Sequence, residues 1–179
     1  MRKTIALLVT SVTGNTMKLA DAVEADLKEN GYQTIRLENT RTVHERVEAD
    51  LYLVFFWCRK STLNDVSRKS ADMYNGKQMA ALGTMGSYPT GEYGDLVRHN
   101  VAGEIGRQNE CLGVYLSQGA IKAERTEMRR ALPKDAPHYL DDEGYKRHLE
   151  SRKHPDQKDL DGAVAFVKKL LREQGERSA

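Results

Sequence analysis

Two stretches of this chain are apolar without a break: Ile5-Ala6-Leu7-Leu8-Val9 and Leu51-Tyr52-Leu53-Val54-Phe55-Phe56-Trp57. A strand with one wet face alternates apolar and polar residues. Unbroken runs of this length belong to strands covered on both faces, as in a parallel sheet with helices on either side. Neither run approaches the ~20 residues of a membrane-spanning helix. Between them, Leu19, Val23 and Leu27 recur every four residues with Ala20 alongside, which predicts a helix over 16–30 closed by Gly31.

The rest of the chain continues the alternation. Residues 3–9 and 51–57 are the first and third strands, and residues 32–37 alternate like an edge strand. Residues 41–50 are polar and read as a short helix or loop. A loop over 58–61 is expected next, then a polar helix over 64–74 closed by Asn75-Gly76 and a strand over 77–82. A glycine- and tyrosine-bearing loop over 83–94 leads into a helix over 95–108, and 111–117 is the fifth strand. From 118 to 155 the pattern lapses into two short helices broken at Pro133 and Pro137. A last amphipathic helix spans 156–173, with Pro155 at its first turn, Leu160, Val164, Val167 and Leu171 as its buried stripe, and a frayed tail after it. Strand–helix alternation implies right-handed crossovers and a five-stranded parallel sheet in the order 2-1-3-4-5, with helices on both faces. One domain over 1–179 is expected, with 118–155 as a polar, partly helical insertion.

Chemistry concentrates behind three strands. Thr10-Ser11-Val12-Thr13-Gly14-Asn15-Thr16 ends the first strand and opens a helix. Hydroxyls of Ser11, Thr13 and Thr16, a tight turn at Gly14 and free amides at a helix N-terminus suit a phosphate monoester. The loop has neither the lysine of a nucleoside-triphosphate loop nor the three glycines of a dinucleotide fingerprint, so any phosphate is held by neutral donors. A plain helix cap is the alternative for these residues. In the expected strand order, the loops after strands one, three and four converge on one crevice at the carboxyl ends of the strands. Trp57, Tyr88 and Tyr93 then become candidates for stacking on a planar ring, and residues 83–86 would bring backbone amides to its polar edge. Trp57 also reads as plain core, and only one of the two tyrosines is expected to stack.

Composition narrows the class. With 28 basic and 26 acidic residues the net charge is +2, too balanced for a dedicated nucleic-acid binder. Apolar residues make up 39%, and prolines number four, so a globular chain is expected. His44, His99, His138, His148 and His154 are scattered and share no metal-ligand spacing with Cys58 or Cys111, so no metal is assigned. A strand beginning at Lys3 leaves no room for a signal peptide, and two cysteines at the ends of apolar runs fit a reducing compartment, so a cytoplasmic address is expected.

These residues resemble the flavodoxin family. The likeness rests on Ser11-x-Thr13-Gly14-Asn15-Thr16, a tryptophan just after strand three, and Gly83-Thr84-Met85-Gly86 followed by tyrosines after strand four. Phe56-Trp57, Gly83-Thr84-Met85-Gly86-Ser87-Tyr88-Pro89 and Ser151-Arg152-Lys153-His154-Pro155-Asp156 resemble, more narrowly, a single-domain flavodoxin-like branch associated with anaerobes and, in some members, with bilirubin reduction. The resemblance implies non-covalent FMN, its phosphate on Ser11, Thr13, Gly14, Asn15 and Thr16. It places Trp57 at one side of the ring and Tyr88 or Tyr93 at the other, with the backbone of Trp57-Cys58 and of Thr84, Met85 and Gly86 against N5 and the pyrimidine edge. Phe56, Arg59 and Gly83 complete the expected cofactor site. No side-chain acid or base is required of an electron carrier. It also implies electron transfer between a reductase and a specific acceptor. The alternatives are an FMN-dependent reductase acting directly on a quinone, tetrapyrrole or azo compound, or a module that has lost its flavin. The absence of a second nucleotide fingerprint favours the carrier.

Two departures stand out. Acidic carriers ring the flavin with carboxylates, whereas this chain has Arg59 and Lys60 beside it, which should favour the anionic reduced flavin and make its couple less negative. Residues 118–155 hold nine basic residues against seven acidic, a difference equal to the whole net charge, and Lys122, Arg125 and Arg129 share one helical face. An acidic redox partner, the carboxylates of a small anionic substrate, or an ordinary solvated face are the readings of that stretch.

Overall fold

The computed structural model of the protein describes residues 3–39 and 45–177. His44 and the first part of the polar 41–50 stretch therefore lie outside the described residues, as does the end of the C-terminal tail.

The apolar runs form the expected central strands, β1 (Thr4–Thr10) and β3 (Leu51–Arg59). They pair in parallel, with Leu7 beside Leu53 and Val9 beside Phe55. Helix α1 (Asn15–Glu29) and strand β2 (Gln33–Asn39) lie between them in sequence, and β2 pairs with β1 at the sheet edge. Strand β4 (Thr62–Leu63), helix α2 (Asp65–Asp72), strand β5 (Gln78–Met85), helix α3 (Gly91–Ile105) and strand β6 (Glu110–Gln118) follow. Helices α4 (Ala123–Arg130), α5 (Asp142–Ser151) and α6 (Gln157–Arg177) complete the chain. The parallel strands run β2-β1-β3-β5-β6, the expected order once a short extra strand is numbered.

Period-2 alternation divides the core into two layers. Ile5, Leu7, Val9, Leu53 and Phe55 face Leu19, Val23 and Leu27 of α1 and Ala163, Val167 and Leu170 of α6. Ala6, Leu8, Tyr52, Val54 and Phe56 face the other way, against Ala71 and Tyr74 and against Val97, Val101 and Ile105 of α3. Leu160, Val164 and Leu171, expected as fully buried, are only partly so, because the most buried stripe of α6 runs through Ala163 and Leu170.

Four local expectations need correction. β3 does not stop at Trp57: it continues through Arg59 and turns back as β4, with Arg59 opposite Thr62. The two residues of this tight hairpin, Lys60 and Ser61, both adopt left-handed backbone, at φ 50° and 62°. That is the geometry of a primed hairpin turn, whose usual sequence mark is Asn-Gly or Asp-Gly, so no such mark announces it here. Gly83, Thr84 and Met85 belong to strand β5, paired with β6 as far as Gln118. Position 83 takes a glycine because the Phe56 ring of the neighbouring strand lies where a Cβ would stand. Helix α3 starts at Gly91, so Tyr93 sits in its first turn and not in a loop. Helix α6 continues to Arg177 where a frayed tail was expected. A reciprocal box starts α6: Asp156 N–H donates to Asp159 Oδ2 (2.9 Å) and Asp159 N–H donates to Asp156 Oδ1 (3.0 Å). His154 Nδ1 meets the same Asp159 carboxylate at 2.6 Å, tying the end of the insertion to this cap.

Candidate functional site

A cleft of about 970 Å³ opens beyond the carboxyl ends of the parallel strands. Parallel strands bring their carboxyl ends to one edge, and the winding reverses between β1 and β3, so the loops there diverge and leave a crevice.

The first wall comes from the strand ends. Behind β1, Gly14 takes φ 88°, a left-handed conformation that a glycine adopts without strain, and opens α1 as its N-cap. No side chain caps that helix and no acid occupies its first turn. Its N-terminal amides therefore face the cleft side with the helix dipole behind them, a cradle suited to a phosphate. The loop is held by its own side chains. Gly14 N–H donates to Ser11 Oγ (3.2 Å), and Asn15 Nδ2 donates to Thr13 Oγ1 (3.2 Å) and to the Ala120 carbonyl (3.0 Å). Thr16 is buried and clasps the sheet from above. Its Oγ1 donates to the Phe56 carbonyl (3.3 Å) and lies 2.8 Å from Thr84 Oγ1. One hydroxyl thus joins α1, β3 and β5, the three elements whose ends make this wall.

Trp57 lines the cleft opposite Thr84 in the sheet register, and its carbonyl accepts from Asn64 Nδ2 (3.3 Å). Its indole Nε1 is buried and has no hydrogen-bond partner among the described residues. Cys58 is half-buried, and that burial pushes its thiol up to about 11, so it is a neutral, sluggish thiol at ordinary pH. Arg59 is ion-paired with Asp65 at the start of α2, which compensates its charge locally. Lys60, at the tip of the hairpin, makes no ion pair among the described residues. Ser61 pins the hairpin to α3: its Oγ donates to the Tyr93 hydroxyl (3.2 Å), and its carbonyl accepts from Asn100 Nδ2 (3.0 Å).

Of the candidate residues, the structure brings Thr13, Asn15, Thr16, Trp57, Cys58 and Arg59 together with Thr84, Met85, Gly86 and Tyr93 around the cleft. It sets five apart from the cleft lining. Phe56 is fully buried on the opposite face of β3 from Trp57, packed against Gly83, so both belong to the core. Ser11 is buried beneath the loop, Gly14 turns the chain into α1, and neither of them nor the exposed Tyr88 lines the cleft.

The second wall comes from the insertion. Gly119, Ala120 and Ile121 continue from β6, and their backbone is fixed on three sides. Gly119 N–H donates to the Met85 carbonyl (2.9 Å), Ala120 N–H to the His154 carbonyl (2.8 Å) and Ile121 N–H to Ser151 Oγ (3.1 Å). Helices α4 and α5 then present Lys122, Arg125, Arg129 and Arg147 to the cleft, with buried His148 behind them. His148 Nδ1 lies 3.1 Å from Thr126 Oγ1. Burial, and then Arg129, Arg147, Arg125 and Arg152, hold its pKa below the usual histidine value, so the ring is neutral at pH 7. Burial and the neighbouring Arg125 and Arg147 guanidiniums likewise depress Arg129. Sequence reasoning grouped Lys122, Arg125 and Arg129 on one face. It missed Arg147, His148, His138 and Met128, which join them only because α5 folds back beside α4. The carboxyl end of β6 was the available signal, since it must open on the same crevice as its neighbours.

Comparison with known proteins agrees with this geometry. A sequence profile for the Flavodoxin domain matches residues 6–168. A flavodoxin-like domain-containing protein, BilS, from Clostridioides difficile (strain CD3) is 28% identical over 176 residues, which span 92% of this chain and 94% of that protein. Among solved structures, oxidised flavodoxin 1 from Bacillus cereus superposes with a TM-score of 0.51 at 12% identity, covering 86% of this chain and 99% of that one. A flavoprotein from Thermotoga maritima gives a TM-score of 0.50 at 12% identity over 95% of this chain. That protein is longer, and the match spans 36% of it.

Proposed function

The chain belongs to the flavodoxin family, with FMN as its cofactor and electron transfer as its general work, and we propose that it serves one specific acceptor and not a range of partners. The observation that carries this reading is the cationic second wall of the cleft. An electron carrier with many partners relies on a broadly compatible face. A cleft walled by arginines selects for negative charge and raises the encounter rate of acceptors that carry it.

The residues present fit the cofactor. The uncapped N-terminus of α1, with Gly14 turning the chain and Ser11 and Thr13 ordering the loop, would hold the phosphate; Trp57, Thr84 to Gly86 and Tyr93 would border the ring. FMN supplies the redox chemistry there. The protein's own residues supply position and electrostatics. Thr16 locks the ends of β3 and β5 to the start of α1, Ser61 and Tyr93 hold the hairpin against α3, and Lys60 adds positive potential at the cleft edge.

A second reading, direct reduction of a small molecule, draws support from the inward aim of the basic wall. Arg129 and Arg147 are half-buried beside the cleft and do not stand on an outer face. The narrower resemblance to proteins associated with bilirubin reduction is compatible with either role. Two free cysteines among the described residues fit a reducing, cytoplasmic setting, and no described helix is long and apolar enough to cross a membrane.

Reoxidation kinetics test the proposal. FMN-loaded protein, photoreduced without oxygen, is mixed with ferricyanide or with hexaamminecobalt(III), acceptors of opposite charge, at low and high ionic strength. The rate with ferricyanide should fall at least about tenfold as salt rises, while the rate with the cobalt complex holds or increases. Equal salt slopes for the two acceptors would refute charge selection.

A further inference from the structure

We infer that the α4–α5 wall is a binding subsite for a compact dianionic group, a pair of carboxylates or a phosphate monoester, carried by a small molecule lying across the strand wall and gripped by Arg125, Arg129 and Arg147. The assignment deepens the second reading, direct reduction of a small molecule, and rests on FMN occupying the strand side of the cleft.

Six described arginines outside this wall have acidic partners, Arg46 and Arg59 among them, while Arg107, Arg152 and Arg172 form no ion pair among the described residues but do not line the cleft. Arg36 is held by Asp21, Glu24 and Glu38; Arg68 bridges Asp65 and Glu104; Arg98 pairs with Asp95 and Arg130 with Asp142. Arg125, Arg129 and Arg147 have no such partner among the described residues, although they face one space. The cleft holds a single acid on this wall, the exposed Glu124. Like charges gathered in one space repel, and burial, then the neighbouring Arg125 and Arg147, depress the protonation of Arg129. Folding tolerates that repulsion where another contribution offsets it. An anion bound between guanidiniums does so, and the planar guanidinium fork matches carboxylate and phosphate oxygens two at a time.

Position separates this subsite from the cofactor's phosphate cradle. The cradle lies at the N-terminus of α1 and uses neutral donors, whereas the arginines come from α4 and α5. Position also separates it from a protein-docking face. Arg129 and Arg147 are half-buried and line the same cleft as Trp57 and Met85, within reach of a small anion lying over the strand wall. The wall is stiff enough to serve. Arg130 Nη1 donates to the Leu140 carbonyl (2.8 Å), and Asp141 caps α5 through the Gly144 N–H (2.7 Å), so α4 and α5 are held on the side away from the cleft.

Calorimetric titration of the FMN-loaded protein with citrate, and separately with inorganic phosphate, tests the subsite, with flavin absorbance recorded throughout. One equivalent of either anion should bind and perturb the flavin spectrum, and the tighter of the two identifies the carboxylate or the phosphate source. Arg129→Gln/Arg147→Gln should weaken that binding at least about tenfold while FMN stoichiometry stays at one. Arg107→Gln, a substitution away from the cleft, should leave anion binding unchanged. Failure of both anions to bind to yellow protein would overturn the subsite, as would equal affinity in the double variant. Loss of FMN from the double variant would assign the arginines to the cofactor and overturn it too. Binding of polyglutamate without citrate or phosphate would move the cluster to a protein-docking role. A colourless protein that still binds citrate through these arginines would refute the flavin reading and leave the anion subsite standing, so the two failures are distinct.

Discussion

The cleft has two walls made by different means, and they divide the work. The strand wall is neutral. Its side chains, Thr16, Thr84 and Trp57, are placed by the hydrogen-bond register of a parallel sheet and by a core fully buried beneath them. The insertion wall is cationic. Its arginines stand on two short helices of eight and ten residues, joined to the body through a few backbone bonds around Ala120 and Ile121. A bound cofactor needs fixed spacing, which a sheet provides. Discrimination among acceptors needs charge, which costs least on a peripheral element that can carry like charges without disturbing the core.

The largest expected effect comes from attacking the foundation of the strand wall. Phe56→Ala would leave a cavity over Gly83 and cost about 3–5 kcal/mol in chemical denaturation. By contrast, Arg125→Gln/Arg129→Gln should change stability by no more than about 0.5 kcal/mol, since it relieves repulsion and breaks no ion pair. Comparable losses from the two variants would erase the distinction between the walls.

Thr16→Val sharpens the comparison within the strand wall. It removes the hydroxyl that joins Phe56 and Thr84 and should cost about 1–3 kcal/mol, with weaker FMN retention measured by dialysis. Thr16→Ser should recover most of both, because it keeps the hydroxyl. A valine variant with wild-type stability and wild-type FMN affinity would show that register alone spaces the strand ends.

The insertion wall should reveal itself through pH. Folding holds the pKa of His148 below its unfolded value near 6.5, so at mildly acidic pH the unfolded chain binds the extra proton. Stability should therefore fall as pH drops from neutral through that value toward the lower folded one, and His148→Gln should flatten this part of the profile. An unchanged slope in the variant would mean that burial and the surrounding arginines do not hold His148 below its unfolded value.

The smallest expected effect lies at the hairpin between the walls. Asp65 compensates Arg59 but not Lys60. In a redox titration Lys60→Glu should make the potential of the bound flavin more negative, and Arg59→Glu should do so less. An equal shift from both, or none from Lys60→Glu, would show that the local ion pair does not govern the potential. Alkylation of Cys58 would not complicate these measurements, since burial keeps its thiol protonated.

Much of the architecture was already written in local pattern. Unbroken apolar runs specified buried parallel strands, the spacing of Leu19, Val23 and Leu27 specified α1, and the threonine- and serine-bearing turn behind β1 marked where α1 opens, at Gly14. Each of these depends on residues within one or two turns of each other, which is the range over which periodicity and capping act. Tertiary structure decided what such reasoning cannot reach. Whether Phe56 or Trp57 faces the cleft depends on strand parity against Gly83 in the neighbouring strand. The left-handed turn at Lys60 and Ser61 is held by α3 through Tyr93 and Asn100, with no turn-forming residue to announce it. The basic wall exists only because α5 returns beside α4, bringing Arg147 and His148 to residues some 20 positions earlier. The sequence by itself determined the layers and the glycine turn that opens α1, because short-range pattern encodes them. The second wall and its charge arise from contacts between distant segments, so only the folded chain shows them.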